Sequence, residues 1–483
     1  MTITVEVDWR KCKFSSFEEL SRETFEAAMQ FGRNLLQGIL EEQDEELREK
    51  RDKQRYREKG TRSTCVKTKL GAVEYKRRMY EDLSITEGLR HVYLLDEALN
   101  MDLIGNVAPD VCEEIARLVC KTSYRNASRI LEGTTGLSLS PQGVWNIAQQ
   151  LGERRSEQVD RMAVLARGGK GAGRIETKVL YEENDGIWLS LQGRDRKEHG
   201  ASKEMKVGIA YTGALWSGGK SGKARRTLSD KVAYASFDAA AAYRFHKEGI
   251  VAGRFNMKNV ELRVCNGDGA GWVQGFGGAD ITVLDAFHRN KAILTHVQDE
   301  DYRKLLMEQL YEPNIPMLLA CIEAMGNSTE DMEEKEHYRT LYTYFKSNEA
   351  GLLGVYNRGI EIPETRKPGV IHHPRLGSME SNVFTLIGNR MKGRRCNWSI
   401  NGANNLASLL CMYHTTGFEG MFPRTSAKAL IPMADDYCTP IGAGRIPKSV
   451  GSGYECYRRT SLPPIPWLKG MTGYQPISSL RLT

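Results

Sequence analysis

The first apolar positions of the chain recur at helical intervals and are followed by a charged stretch. The recurring residues are Phe17, Leu20, Phe25, Met29, Leu35, Leu36 and Ile39. Ser15 and Ser16 precede Glu18 and Glu19 at the spacing of a capping box, which predicts the start of a helix. Residues 41–60 carry charges of both signs, which favours a solvated helix, with a DNA-contacting arm as the alternative. We therefore predict an N-terminal helical region over residues 1–60.

The pattern then changes to a period of two. Residues 65–80 alternate around Gly71-Ala72, which predicts a β-hairpin within a basic region over 61–95. One side of this hairpin carries Lys67, Lys69, Lys76 and Arg78. Such a face suits a phosphate backbone, although an exposed basic strand face is equally ordinary.

Residues 96–165 have the pattern of consecutive helices. We predict helices over 124–131 and 140–150, since Ser140-Pro141 supplies a cap followed by proline at the first helical position. The arrangement predicts a helix-turn-helix whose second helix enters the major groove of DNA. The candidate base-reading side chains are Gln142, Asn146 and Gln149. An ordinary helical hairpin is the alternative.

From about residue 174 the pattern is that of an α/β domain. We predict strands over 175–192, 204–213, 231–237, 260–266 and 281–284, with helices over 238–252 and from 285. The first three strands suit an antiparallel meander, and the later ones suit parallel addition through helical crossovers. A basic, glycine-rich loop over 213–230 is predicted to face DNA through Lys220, Lys223, Arg225 and Arg226.

The chain from residue 174 onward divides into four parts. Residues 174–299 and 358–420 are predicted to form one core, separated by a helical insertion over 300–357 and followed by a tail over 421–483. The second part of the core, 358–420, contains a predicted helix from Glu380 to about Met391. This helix ends in a basic cluster before Trp398. The cluster is Arg390, Lys392, Arg394 and Arg395. We expect these cations to bind phosphates and Trp398 to stack on a base or to lie buried.

Composition narrows the class of protein. The net charge of +7 is a small excess for a chain of which 27% is charged, so the clustering of cations is more informative than their number. No apolar run approaches the length of a membrane span, and the N-terminus lacks a signal-peptide pattern. We therefore expect a protein of the cytoplasm with no membrane partner, in which the ten cysteines are reduced.

Three acids stand at the ends or breaks of apolar segments. Asp185 interrupts the first predicted strand, Asp268 follows the fourth, and Glu380 opens a helix. Carboxylates from separate elements are what a two-metal phosphoryl-transfer site requires. Each also has an ordinary interpretation, because Asp before Gly forms turns and Glu is favoured at helix N-termini. Glu183 and Asp280 are nearby acids that we favour less.

Several short motifs together resemble a known family. They are Glu-Asn-Asp185-Gly, Asn266-Gly-Asp268-Gly-Ala-Gly-Trp, Leu284-Asp-Ala-Phe-His288-Arg-Asn-Lys-Ala, Gly377-Ser-Met-Glu380-Ser-Asn-Val and Asn397-Trp-Ser399. Their order and spacing resemble the ISLre-type insertion-sequence transposases of the Mutator-like DDE group, over roughly residues 15–415. The resemblance implies an RNase H-like mixed sheet with a helical insertion before the last acid.

The resemblance also implies roles for individual residues. Asp185, Asp268 and Glu380 would be the catalytic acids that hold Mg²⁺ or Mn²⁺, and Asp285-x-x-His288 would match the family's C/D-x-x-H motif. We expect His288 to contact a phosphate or to support the site structurally together with Asp285.

The implied function is DNA transposition. The enzyme would cut DNA at the terminal inverted repeats of its element and join the freed 3′-hydroxyl to target DNA, in bacterial cytoplasm and on the nucleoid when bound. Pairing two ends predicts a homodimer or higher oligomer. A non-catalytic helix-turn-helix regulator and an RNase H-like nuclease without strand transfer are the alternatives.

Overall fold

The computed structural model describes residues 13–422, apart from residues 87, 89, 102, 218–224, 274–278, 312–313, 364–369, 372–375 and 394–395. Almost all of the predicted tail over 421–483 therefore lies outside the described residues. Among the described residues, no helix has the length and apolar character needed to cross a membrane.

The N-terminal region is a long helix packed on a small sheet. Helix α1 covers Phe17–Lys50, and the Ser16 Oγ atom accepts the Glu19 amide at 3.1 Å while Glu19 accepts the Ser15 amide at 2.8 Å. The predicted cap and helix start are therefore confirmed, with the reciprocal bond made to the residue before the N-cap. The helix ends at Lys50, and the predicted hairpin is longer than expected, since it begins at Tyr56. Its strands are β1 (Tyr56–Thr68) and β2 (Gly71–Asp82). A third strand, β3 (His91–Val92), pairs with β2 and completes the small sheet.

The predicted helical region is present. It contains α2 (Leu94–Ala98), α3 (Pro109–Lys121), α4 (Tyr124–Thr134) and α5 (Pro141–Arg167). The Ser140 Oγ atom accepts the Gly143 amide at 3.0 Å, as the predicted cap requires. Helix α5 is much longer than the segment we predicted, because its second half packs on the sheet domain rather than ending in a turn.

The centre of the molecule is a mixed five-stranded sheet. Its strands are β4 (Val179–Ser190), β5 (Ser202–Tyr211), β8 (Val232–Ser236), β9 (Leu262–Gly267) and β10 (Ile281–Leu284), in the order β10-β9-β4-β5-β8. Strand β5 pairs antiparallel with both β4 and β8, whereas β9 pairs in parallel with β4 and β10 pairs in parallel with β9. The predicted meander followed by parallel addition is confirmed.

One part of the sheet domain differs from the prediction. Residues 213–230 were expected to be a loop, but they contain the antiparallel strands β6 (Gly213–Ser217) and β7 (Arg225–Ser229). Strand β11 (Val370–Ile371) pairs with β6 to complete a second, three-stranded sheet. Such short strands are fixed by pairing with a distant segment, which the local pattern does not reveal.

Helices cover the main sheet and form the insertion. Those of the sheet domain are α6 (Gly193–His199), α7 (Ala240–Arg254) and α8 (Ala286–His296). The insertion is helical as predicted, with α9 (Glu300–Tyr311), α10 (Ile315–Ser328), α11 (Met332–Ser347) and α12 (Glu349–Leu352). Next come α13 (Met379–Val383), a π-helical turn over Phe384–Gly388, α14 (Asn389–Met391) and α15 (Ile400–Tyr413).

The helical region and the main sheet share one hydrophobic core. Val119 and Ile147 of the helical region belong to the same buried cluster as Val207 of the sheet and Leu406 of α15. Close helix packing is possible because α5 carries Gly152, where an added Cβ atom would lie 2.6 Å from the Asn405 Cα atom. The insertion helices have a second core of their own, which includes Leu306, Leu341 and Phe345.

Candidate functional site

Asp185 and Asp268 lie at adjacent positions of the main sheet. Strands β4 and β9 run in parallel with Asn184 opposite Gly267, so Asp185 is the next residue of β4 and Asp268 is the residue that directly follows β9. The Asp185 side chain is 17% exposed. Burial raises the pKa of Asp268, and the nearby Asp185 carboxylate adds to this effect. The sheet therefore brings together two of the three predicted acids.

Two hydrogen bonds fix the backbone around Asp268. Its Oδ1 atom accepts the Ala270 amide at 2.9 Å, which closes a tight turn after β9. Its carbonyl oxygen accepts the Tyr344 hydroxyl of α11 at 2.8 Å. The insertion thus contacts the site directly at the second predicted acid.

His288 reaches the same pair of acids from α8. Its Nε2 atom lies 3.7 Å from the Asp185 Oδ1 atom. The Asp185 carboxylate raises the pKa of His288 against the opposing effect of burial, and Asp268 contributes in the same direction. Three of the predicted site residues therefore converge.

Asp285 caps the helix that carries His288. Its Oδ1 atom accepts the Phe287 amide at 2.9 Å and the His288 amide at 3.3 Å. The Asp285 Oδ2 atom accepts the Asn266 side-chain amide at 2.8 Å. The Asp-x-x-His spacing places the histidine in the first turn of α8, where it is directed by a cap that is itself held to β9.

Glu183 is a functional candidate that we ranked too low. It lies two residues before Asp185 and therefore on the same face of β4. Its side chain is fully buried and accepts four hydrogen bonds, from the Tyr211 hydroxyl, the Asn266 amide and the backbone N–H groups of Gly377 and Ser378. No local pattern around Glu183 predicts this role, because its hydrogen-bond partners are distant in the chain.

Glu380 stands in the first turn of α13, as predicted. Helix α13 packs on β4 and β5, and its side chain at 380 is exposed. Among the residues that the structure describes, no group of three or more His, Cys, Asp and Glu side chains is arranged to hold a metal ion. The metal-binding role of Glu380 therefore stays a prediction, as do those of Asp185 and Asp268.

A further acid, Glu204, lies beside the pair. Its carboxyl occupies the space above Gly186, where an added Cβ atom would collide with it. Burial raises the pKa of Glu204, and Asp268 and Asp185 contribute to the increase. We did not predict this residue, since an acid within a strand is common on an exposed sheet face.

A buried ionic network lies on the opposite face of β4. The Lys247 Nζ atom donates to the Glu182 carboxylate and the Asn184 Oδ1 atom, each at 2.9 Å. Arg263 of β9 donates to the same carboxylate at 2.6 Å. Burial opposes the ionisation of Glu182, but the two cations outweigh it and lower its pKa to about 2. The network joins β4, β9 and α7 directly behind Asp185.

The structure corrects two of the predicted DNA contacts and gives a third residue a partner within the protein. Trp398 is 8% exposed, and its indole Nε1 atom donates to the Met391 carbonyl at 2.9 Å, so it is a core residue and not a base-stacking one. Gln149 is buried and accepts the Asn405 side-chain amide at 2.9 Å, which excludes it from reading bases. Arg390 donates to the Val119 carbonyl at 2.7 Å, so its partner lies within the protein.

The other predicted contacts fall into two groups. Gln142, Asn146 and Lys392 are exposed, and Arg226 is half-buried, with an Nη2 atom that makes no hydrogen bond within the described part of the chain. The residues whose side chains lie outside the described part are Lys220, Lys223, Arg225, Arg394 and Arg395. The predicted DNA contacts of these basic residues therefore stay a prediction.

Comparison with known proteins identifies a family. The model of an "Uncharacterised protein family (UPF0236)" matches residues 11–421. A similar protein, "UPF0236 protein in vanSb 3'region" of Streptococcus gallolyticus, is 22% identical over 358 residues, which is 72% of each chain. The residues matched by the family model include both the helical region and every predicted acid.

Proposed function

The chain belongs to this family, UPF0236, and we propose that it is a DDE-type DNA transposase that cuts DNA at the ends of its mobile element and joins them to target DNA. The observation that carries the proposal is the convergence of Asp185 and Asp268 from neighbouring parallel strands, with His288 3.7 Å from the first. Two carboxylates carried by neighbouring strands, with a histidine beside them, suit phosphoryl transfer.

The arrangement of strands supports an RNase H-like core. An antiparallel meander of three strands is followed by a helix and by two strands added in parallel beside β4. The helical insertion stands between the second and third predicted acids, where the resemblance to ISLre-type transposases places it. In this fold assignment, Asp185 lies on the central strand and Asp268 follows its neighbour.

The two acids fit a divalent metal ion by their chemistry. Both offer oxygen ligands, which Mg²⁺ and Mn²⁺ prefer, and burial of Asp268 beside Asp185 favours a cation that offsets their repulsion. In the proposal, Glu380 of α13 completes the ligand set. Bound ions would polarise the scissile phosphate and stabilise the charge that develops on it.

The protein's own residues then have defined tasks. His288 orients Asp185, and Tyr344 and Ala270 hold the backbone and carboxylate of Asp268. Attack by water breaks a P–O3′ bond and leaves a 3′-hydroxyl and a 5′-phosphate. The same hydroxyl then attacks a phosphate of target DNA, which forms one P–O bond and releases one target 3′-hydroxyl. Only the nucleophile differs between the steps.

DNA recognition is assigned to the N-terminal half of α5. Gln142, Trp145 and Asn146 are exposed there, at the start of a helix that follows a turn. We propose that α4 and α5 act as a helix-turn-helix in which Gln142 and Asn146 face the major groove. Because two element ends are processed together, we expect a dimer or larger assembly on DNA.

The test uses purified protein, Mg²⁺ or Mn²⁺, a target plasmid and a duplex carrying the sequence that flanks the coding region. Asp268→Asn should lower cleavage by at least about a hundredfold, since even outer-shell partners of metal ligands are worth about 10–100-fold. DNA binding should be retained.

Asp280→Asn is the matched control, because Asp280 is an exposed acid at the opposite end of β9, where it accepts the Arg263 amide at 2.7 Å. It should cleave like the wild type. Joined products support the transposase, hydrolysis without joining supports a nuclease, and binding without cleavage by the wild type supports a regulator.

A further inference from the structure

We propose that Glu183 is a positioning residue that docks helix α13, and with it Glu380, beside Asp185. The inference rests on the proposed function, because it gives the docked helix a catalytic purpose. It adds a residue that none of the predicted roles includes. Its basis is a set of hydrogen bonds that joins every element carrying a predicted acid.

The first link is between Glu183 and the start of α13. One carboxylate oxygen, Oε2, accepts the backbone N–H groups of Gly377 and Ser378, each at 2.9 Å. These are N–H groups at the start of the helix, where no partner within the helix is available. Glu380 follows two residues later, so its position depends on where these two groups bind.

Gly377 adopts the conformation that makes this link possible. Its φ angle is +97°, which residues with a side chain rarely adopt. The turn directs two successive N–H groups toward one carboxylate. The Gly-Ser-Met-Glu sequence thus has a structural reason for its glycine, apart from any contact with a substrate.

The second link reaches the other two parts of the site. The Asn266 side-chain amide donates to the Glu183 Oε2 atom at 3.0 Å and to the Asp285 Oδ2 atom at 2.8 Å. Asn266 is the penultimate residue of β9, two positions before Asp268, and Asp285 caps the helix that carries His288. A single buried carboxylate therefore connects α13 to both neighbouring parts of the site.

The remaining oxygen of Glu183 is held within the sheet. The Tyr211 hydroxyl of β5 donates to the Oε1 atom at 2.7 Å. Glu183 is fully buried, so its hydrogen bonds replace contacts with water entirely. A group with no exposed surface and with both oxygens occupied does not contact DNA, which is why we assign it a positioning role rather than a catalytic one.

The test separates positioning from a requirement for negative charge. Glu183→Met keeps the volume but leaves the N–H groups of Gly377 and Ser378 without an acceptor. Glu183→Gln keeps an oxygen that accepts them. If Glu183 acts by positioning, Glu183→Gln should retain the protection of α13 and the DNA cleavage that Glu183→Met loses. If the negative charge itself is required, both variants should fail alike.

Hydrogen exchange of the peptide over 377–388 gives a readout that does not require DNA cleavage. We expect exchange there to accelerate about tenfold or more in Glu183→Met, from the loss of two hydrogen bonds. Glu183→Gln should stay within about threefold of the wild type. DNA cleavage in the transposition assay should follow the same order of variants.

Two further variants complete the design. Tyr211→Phe removes a buried hydrogen bond to Glu183 without touching α13, and it should leave exchange over 377–388 unchanged. Ser378→Pro removes one donor from the helix side, and it should accelerate exchange even if Glu183→Met does not fold.

Unchanged hydrogen exchange over 377–388 in Glu183→Met would overturn the proposal. If Glu183→Met does not fold, unchanged exchange in Ser378→Pro would overturn it instead. So would loss of cleavage in Glu183→Gln equal to that in Met. If the wild type does not cleave DNA, the proposed function fails, while exchange still decides whether Glu183 docks α13.

Discussion

At the scale of single residues, the buried ion pair behind the site is the clearest determinant of stability. The Lys247 side chain is 2% exposed and the Glu182 side chain 1%. Breaking a buried pair typically costs about 3–5 kcal/mol. Because Arg263 still donates to the Glu182 carboxylate when Lys247 is removed, we expect the lower end of this range, about 3 kcal/mol. Lys247→Met should therefore lower the free energy of unfolding by about this amount, measured by urea denaturation.

The matched control for this prediction is an exposed pair on α9. Lys304 lies 3.1 Å from Glu300, and both side chains are mostly exposed. Lys304→Met should change the free energy of unfolding by less than about 0.5 kcal/mol. Equal losses for the two lysine variants would contradict the argument from burial.

Residue type alone did not reveal which polar and aromatic side chains are buried. Gln149 was predicted to contact DNA, and Trp398 either to stack on a base or to lie buried, and both are core residues. Trp188, in contrast, is 58% exposed and lies three residues after Asp185. The motifs around Asp185, Asp268 and His288 did indicate residues that converge. Glu183 was missed because its importance comes from Gly377 and Ser378, which are far away in the chain.

At the scale of secondary structure elements, the periodicity of the sequence predicted most of the sheet domain. Strands β4, β5, β8, β9 and β10 and helix α7 were all expected, because buried strands and amphipathic helices leave strong patterns. The hairpin of β6 and β7 was missed, since its strands are five residues each and surround a glycine-rich segment. The length of α5 was also missed, because packing on α7 and α15 extends it.

His246 links helix α7 to helix α5. His246 of α7 lies 2.9 Å from the Asp160 carboxylate of α5 and 3.2 Å from the Asp238 carboxylate. The hydrogen bond to Asp238 raises the pKa of His246 against the effect of burial, and Asp160 adds to the increase. The protonated form is therefore favoured in the folded protein.

The sign of the pH dependence follows from this raised pKa. The stabilisation is fully present below the unfolded pKa of about 6.5 and is lost as pH rises through the folded pKa. Between pH of about 6 and 8.5, the wild type should lose stability relative to His246→Gln, by less than about 1 kcal/mol because the partner carboxylate of Asp160 is mostly exposed to solvent. Urea denaturation at both pH values measures the difference.

His199 provides the control for the pH experiment, because it is exposed at the end of α6. The pH dependence of His199→Gln should match that of the wild type. If His246→Gln and the wild type keep the same difference in stability at both pH values, the ionised pair between α5 and α7 does not contribute.

At the scale of the whole described unit, helices α3 to α5 do not have a core separate from that of the sheet. Leu131 and Leu151 belong to the same buried cluster as Val264 and Leu409. An added Cβ atom at Gly249 of α7 would lie 2.5 Å from the Ala163 backbone nitrogen of α5, so these helices pack backbone to backbone. DNA bound by α5 would therefore be held rigidly relative to the proposed catalytic residues.

The insertion, in contrast, has its own core and meets the site at a few points. Tyr344 of α11 donates to the Asp268 carbonyl, and Leu284 at the end of β10 is part of the insertion's core. Loosening the insertion would free the Asp268 backbone without unfolding the sheet. The position of the second predicted acid therefore depends on the insertion as well as on the main sheet.

This difference between the two cores predicts the order in which the protein opens. Native-state hydrogen exchange in increasing urea should show α3 to α5 and the main sheet opening together, because they share one core. Amides around Leu341 and Phe345 should open at lower urea, since their smaller core is separate. Opening of α4 and α5 before the sheet would contradict the shared core. If α11 were as protected as β5, the insertion would not open separately from the sheet.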